Sequence, residues 1–68
     1  MTGTINAFYG AEVKRDDGQP AGKLPNNTVV RIVEPNGKPA WHVGEWTKIE
    51  HDGVAGWVAA NQLVVDYV

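Results

Sequence analysis

Glu45 to Leu63, EWTKIEHDGVAGWVAANQL, decides the fold. Trp46, Lys48 and Glu50 alternate with Thr47, Ile49 and His51, a period of two that marks a strand with one covered face. Asp52-Gly53 is a turn signal, since a type I′ turn needs positive φ at both central positions. Beyond it Val54, Gly56 and Val58 alternate with Ala55, Trp57 and Ala59. The spacing predicts an antiparallel hairpin, Glu45–His51 with Val54–Ala59. Ala60-Asn61-Gln62 is too short for an α-helix and suits a single 3₁₀ turn. Leu63-Val64-Val65 then resumes as a strand.

Outward from this hairpin, Thr28–Glu34 is the strongest remaining strand, almost all β-branched. Val30 and Ile32 are expected to face the core, while Val29, Arg31 and Val33 lie on a partly covered face. Pro35 is expected to close that strand, followed by a turn signal at Asn36-Gly37 and an irregular connection, Pro39–Gly44, that carries Trp41. Upstream, Pro25-Asn26-Asn27 is a turn, because Pro presets φ and Asn tolerates left-handed geometry. Lys23-Leu24 is a short strand. Gly10 to Gly22, GAEVKRDDGQPAG, is polar and rich in Gly, a loop by composition. Thr4–Tyr9 alternates weakly and is expected to be the first strand, with Phe8 in the core. Val30, Ile32, Ile49, Val58 and Leu63 complete the expected core, with Ala55 or Gly56 marking a close backbone approach.

Sixty-eight residues form one domain at most, 1–68, with a thin core. There is no Cys and no Ser, so disulfides, thiolate metal sites and the commonest nucleophiles are all missing. The formal net charge is −2, and Lys and Arg are scattered apart from Lys14-Arg15. Nucleic acid calls for a clustered basic face, so it is excluded as the expected partner. No apolar run is long enough for a membrane helix, and no signal peptide is visible at the N-terminus. The chain is expected to be a complete small cytoplasmic or virus-encoded protein, or else a module of a longer secreted chain. Asp16-Asp17 is a carboxylate pair in a polar loop, where solvation is the simpler role than catalysis. His42, His51 and Asp52 lack the spacing of metal ligands. No enzymatic activity, no metal and no cofactor are expected.

The Trp strand, turn, Gly56-Trp57-Val58, Ala59-Ala60-Asn61 and Leu63-Val64 together resemble the C-terminal half of a Src homology 3 domain, most closely the bacterial type with its Gly-Trp-Val run. Ala7-Phe8-Tyr9 is similar to the Ala-Leu-Tyr start of the eukaryotic branch. The resemblance implies an SH3-like barrel of five or six short antiparallel strands with one 3₁₀ turn. The eukaryotic branch binds Pro-rich peptides in an aromatic groove. Carried onto this chain, that groove keeps Tyr9, Trp46 and Asn61 but has Ala11, Ala59 and Gln62 where the family has Tyr, Pro and Tyr. Proline-peptide binding is therefore disfavoured. The bacterial branch binds cell-wall cross-bridge peptides or other proteins.

Two functions are therefore expected. One is a monomeric module that targets cell-wall peptidoglycan peptides. The other is a small intracellular or phage-encoded protein–protein interaction domain. In either, the expected site is a shallow groove formed by Tyr9, the loop Glu12 to Asp17 with Glu12, Asp16 and Asp17, then Trp41, Trp46 and Asn61. Trp46 is expected to point outward because Thr47 and Ile49 take the core side. The acidic excess suits a ligand with free amines, through rim charges that steer association.

Overall fold

The computed structural model describes residues 1–37 and 44–66. Seven antiparallel strands form one sheet: β1 Thr2–Ile5, β2 Ala11–Lys14, β3 Pro20–Leu24, β4 Val29–Gly37, β5 Trp46–His51, β6 Val54–Ala59 and β7 Leu63–Asp66. A 3₁₀ turn, Ala60–Gln62, links β6 to β7. The spatial order is β3-β2-β6-β5-β4-β1-β7. Among the described residues there is no α-helix, as expected, but the strands number seven rather than five or six.

The hairpin that the sequence predicts is the centre of this sheet. Trp46 pairs with Ala59, and the register runs without a break to His51 opposite Val54. Asp52 has φ 52° and Gly53 φ 79°, the geometry expected of the turn. Thr47, Ile49 and Val58 point inward and are buried. Ile5, Ala11, Val13, Val30, Ile32 and Leu63 join Ile49 and Val58 in one hydrophobic cluster. That cluster draws on strands from near both edges of the sheet, which a flat sheet does not bring together. The sheet is bent over its own inner face. β4 helps to bend it, pairing with β1 through Val29–Arg31 and with β5 from Arg31 onward. Two register shifts against β5 insert extra residues into β4, and such bulges bend and twist a strand.

Three expectations need correction. The first strand is Thr2–Ile5, not Thr4–Tyr9. The chain turns at once: the Gly10 N–H donates to the Ala7 carbonyl at 2.8 Å, Gly10 takes φ 87°, and Asn26 Oδ1 accepts from the Ala7 N–H. Phe8 occupies the corner of that turn and is 85% exposed, so it is not a core aromatic. Second, Gly10–Gly22 is not a loop. It holds β2, its inner residues Ala11 and Val13 buried, and the start of β3. Third, β4 does not end at Pro35 but continues to Gly37. Pro35 falls inside the second register shift, the place in a sheet where a residue without an N–H is tolerated.

The two candidates for close approach separate clearly. Ala55 is exposed on the outer face. At Gly56, a Cβ would collide with Val13 Cγ1 and lie 3.1 Å from the Lys14 carbonyl oxygen. Gly56 thus lets β2 settle on β6, where Lys14 pairs with Trp57.

Candidate functional site

The outer face of the β5–β6 hairpin carries the alternate set of side chains. Lys48 stands directly across from Trp57, and Trp46 across from Ala59. Directly opposed residues share a face, and the two Trp residues are therefore diagonal neighbours on it. Trp46 is half-buried and points outward, as the alternation predicts. At the end of the hairpin, Trp46, Glu45, Gly44, Ala59, Ala60 and Asn61 line a cleft of about 430 Å³. The Ala60 N–H donates to the Glu45 carbonyl at 3.1 Å, tying the 3₁₀ turn to the strand entry and fixing one wall. Three of the six lining residues are Gly or Ala, so much of the surface there is backbone.

Trp57 plays a different part. It is only 6% exposed, although it lies on the outer face. Its indole N–H donates to Asp16 Oδ1 at 2.6 Å, and the Lys48 ammonium lies 5.8 Å from its ring centroid. Lys48 is also 3.7 Å from Asp16. The β2–β3 turn is thereby folded over the indole, with Asp16 as the link.

The expected site residues fall into separate groups. Trp46 and Asn61 meet in the cleft. Tyr9 is 83% exposed and packs edge-on against Phe8 with ring centroids 4.9 Å apart, and it is not among the residues that line the cleft. Glu12 lies on β2 rather than in a loop, paired to Lys14 at 2.6 Å. The hydrogen bond from Lys14, reinforced by its charge, holds the Glu12 carboxyl below its ordinary range. Asp17 accepts the Gln19 N–H at 3.0 Å and an Arg15 guanidinium N–H at 3.1 Å. The first of these, then the second, lowers its pKa. The three acids thus have partners within the β2–β3 hairpin or on Trp57 and Lys48. Trp41 and His42 lie outside the described residues.

The sequence reading passed over Glu45, Ala59 and Ala60 as site residues. It also missed the coupling of Trp57 to Asp16. The period of two could have found Lys48 opposite Trp57, since the register follows from the Asp52-Gly53 turn. Nothing local to Asp16 marks it as the indole's acceptor. Among the described residues no group of three His, Cys, Asp or Glu is placed to hold a metal ion, and no helix is long and apolar enough to cross a membrane. His51 Nδ1 lies 3.6 Å from Asp52 at the exposed turn.

No protein-family model matches this chain, and no curated protein matches it.

Proposed function

We propose that this chain is a non-catalytic binding module, built as an SH3-like barrel, that holds a peptide in the Trp46 cleft. The observation that carries the reading is the meeting of Trp46 and Asn61 in one open cleft beside the 3₁₀ turn. The bent sheet, the central hairpin and the position of that turn support the barrel. Volumes of about 300–1,000 Å³ are usual for ligand sites, and this cleft falls in that range. Trp is the residue type most often at the energetic centre of an interface. Gly44, Ala59 and Ala60 leave a narrow floor that suits a peptide of small side chains, and exposed Glu45 suits a free amine at its rim. Gly- and Ala-containing cell-wall cross-bridge peptides have that chemistry, so they are the proposed ligand class. Absence of Ser and Cys supports a non-catalytic role.

The test is co-sedimentation with purified peptidoglycan, followed by titration of an amine-bearing Gly/Ala peptide. Trp46→Ala is expected to lose about 2 kcal/mol or more of binding, as hot-spot truncations do, with its melting temperature close to that of the parent. Binding to a protein partner but not to peptidoglycan, lost in Trp46→Ala, would instead select the intracellular or phage-encoded interaction domain. Binding untouched by Trp46→Ala would remove the cleft from the function.

A further inference from the structure

A second surface, sharing no lining residue with the Trp46 cleft, lies at the β3 edge of the sheet. β3, Pro20–Leu24, is the end strand of the sheet and pairs with β2 alone among the described residues. Sheet edges expose unpaired N–H and C=O groups that will pair with another extended chain. Beside this edge is a cavity of about 210 Å³. Val13, Leu24, Ile49 and Val54 supply its apolar walls, and four consecutive β3 residues, Ala21 to Leu24, run along it. A Cβ placed on Gly22 would meet nothing within 4 Å, so the strand is notched where the cavity begins. An apolar cavity of about 150 Å³ is enough to take a benzene ring; this one has room for a single aliphatic side chain.

The charges at its mouth select the ligand further. Lys23 and His51 both border the cavity. Lys14, Arg15, Arg31 and Lys48 each have a carboxylate within ion-pair distance, whereas Lys23 is the one described Lys or Arg without one. Its cross-strand neighbour Glu12 feels its charge but is ion-paired to Lys14 instead, so a carboxylate brought to this rim gains a contact ion pair that Lys23 does not already make.

We propose that β3 and the adjoining cavity form a second docking site, distinct from the Trp46 cleft. It takes an extended peptide in which an aliphatic residue neighbours an acidic one. The peptide adds a strand alongside β3. Its aliphatic side chain enters the space above Val13 and Ile49, and its carboxylate sits against Lys23. Main-chain pairing supplies affinity in this mode and the pocket supplies selectivity. A Pro-rich ligand lacks the N–H groups for it.

The competing role of β3 is plain edge protection, since Pro, Lys and bulges all discourage edge pairing. Pro20, Lys23 and the register shift between Val13 and Lys14 fit that role as well. Titration of the ¹⁵N-labelled chain distinguishes the two. The probe is the end-capped hexapeptide Thr-Thr-Leu-Glu-Thr-Thr, compared with the same peptide bearing Lys for Glu and with a version N-methylated at alternate residues. The proposal expects saturable shifts of the Ala21, Gly22, Lys23 and Leu24 amides with the Glu peptide. Binding should be about tenfold weaker for the Lys peptide, because rim charges discriminate between partners, and absent for the N-methylated one. Lys23→Glu should reverse the order of the first two, and Val54→Lys, which puts a charge at the lip of the cavity, should weaken both.

Three results would overturn the proposal. Silence of the β3 amides at millimolar peptide would show that Pro20 and Lys23 only guard the edge. Shifts confined to Gly44–Trp46 and Ala59–Asn61 would assign the peptide to the other cleft. Concentration-dependent shifts of the β3 amides without peptide would make a second copy of this chain the occupant. None of these results bears on Trp46→Ala and peptidoglycan, so the two sites stand or fall separately.

Discussion

The β5–β6 hairpin and the β2–β3 hairpin are both antiparallel pairs, yet they are held by different means. In β5–β6 the register is unbroken from Trp46 to His51, and the inward residues Thr47, Ile49 and Val58 are all buried. Its turn is specified by its own two residues. In β2–β3 the register shifts between Val13 and Lys14, and every β3 residue before Leu24 is exposed. This second hairpin stays in place through contacts outside itself: Gly56 admits Val13, Lys14 pairs with Trp57, and Asp16 accepts the Trp57 indole N–H. One hairpin is therefore a local product of its sequence, and the other is docked upon it. The Trp46 cleft rests on the first, while the proposed peptide edge belongs to the second.

The largest effect should come from removing the frame. Ile49 is buried at the centre of the cluster, and Ile49→Ala should cost about 2–5 kcal/mol. That is a large fraction of the whole stability, which is about 5–15 kcal/mol for typical proteins and lies at the low end for so small a domain. Urea denaturation should show both hairpins melting together at a much lower midpoint. If β2–β3 were to survive while β5–β6 melts, the order of dependence would be reversed.

Gly56→Ala should separate the two hairpins instead. Its Cβ would have to displace Val13 Cγ1 and crowd the Lys14 carbonyl. Overpacking of this kind costs about 1–3 kcal/mol. Hydrogen exchange should speed up at Ala11–Lys14 and Pro20–Leu24 and stay slow at Trp46–His51. Uniform acceleration would mean that the two hairpins form one cooperative unit.

The same difference explains what could be read from sequence alone. Alternation, an Asp-Gly turn and a short polar interruption are local signals, and they placed β5, β6 and the 3₁₀ turn correctly. Val30, Ile32, Ile49, Val58 and Leu63 follow from the same parity and are all buried. β2 has just two inward residues, Ala11 and Val13, too few to stand out among the Gly, Asp and Lys around them. Its partner surface is supplied by Gly56, more than forty residues later. Phe8 was misplaced for a related reason: its apolar character suggested the core, but Gly10 and Asn26 close a turn there and leave its ring at a corner. In the site, the outward direction of Trp46 was legible from period two. The pairing of Tyr9 with Phe8 at an exposed corner was not, because it follows from that turn.

A smaller effect is expected at the link itself. Asp16→Ala leaves the Trp57 indole N–H without its acceptor. An unmade hydrogen bond at a buried donor costs about 1–3 kcal/mol, and Asp16 is itself largely exposed, which places this change at the lower end. Indole fluorescence should shift as water reaches Trp57, and exchange should quicken in the Arg15–Gln19 turn first. A variant that loses the Trp46–Ala59 pairing as readily would deny that Asp16 acts through β2–β3.

The smallest effect is a response to acid, and it should again fall on one hairpin. Glu12 and Asp17 both have carboxyl groups held below their ordinary range, Glu12 by Lys14 and Asp17 by the Gln19 N–H and Arg15. A group whose folded pKa is depressed stabilises the fold above its unfolded value and loses that contribution as pH falls through the folded one. The stabilisation should therefore be complete at neutral pH and fade as the pH falls below about 5, where free Glu and Asp begin to protonate. Both carboxylates are exposed, so screening keeps the gain small, and added salt should reduce it further. Both also lie in β2–β3 or its turn, where their partners do. Acidification should accordingly loosen Ala11–Leu24 before Trp46–Ala59, an order that amide exchange measured from pH 6 down to about pH 3 can follow once intrinsic rates are corrected. Glu12→Gln with Asp17→Asn should flatten that pH dependence. If the double variant keeps it, the acid response arises from other carboxylates and the β2–β3 ion pairs contribute nothing measurable.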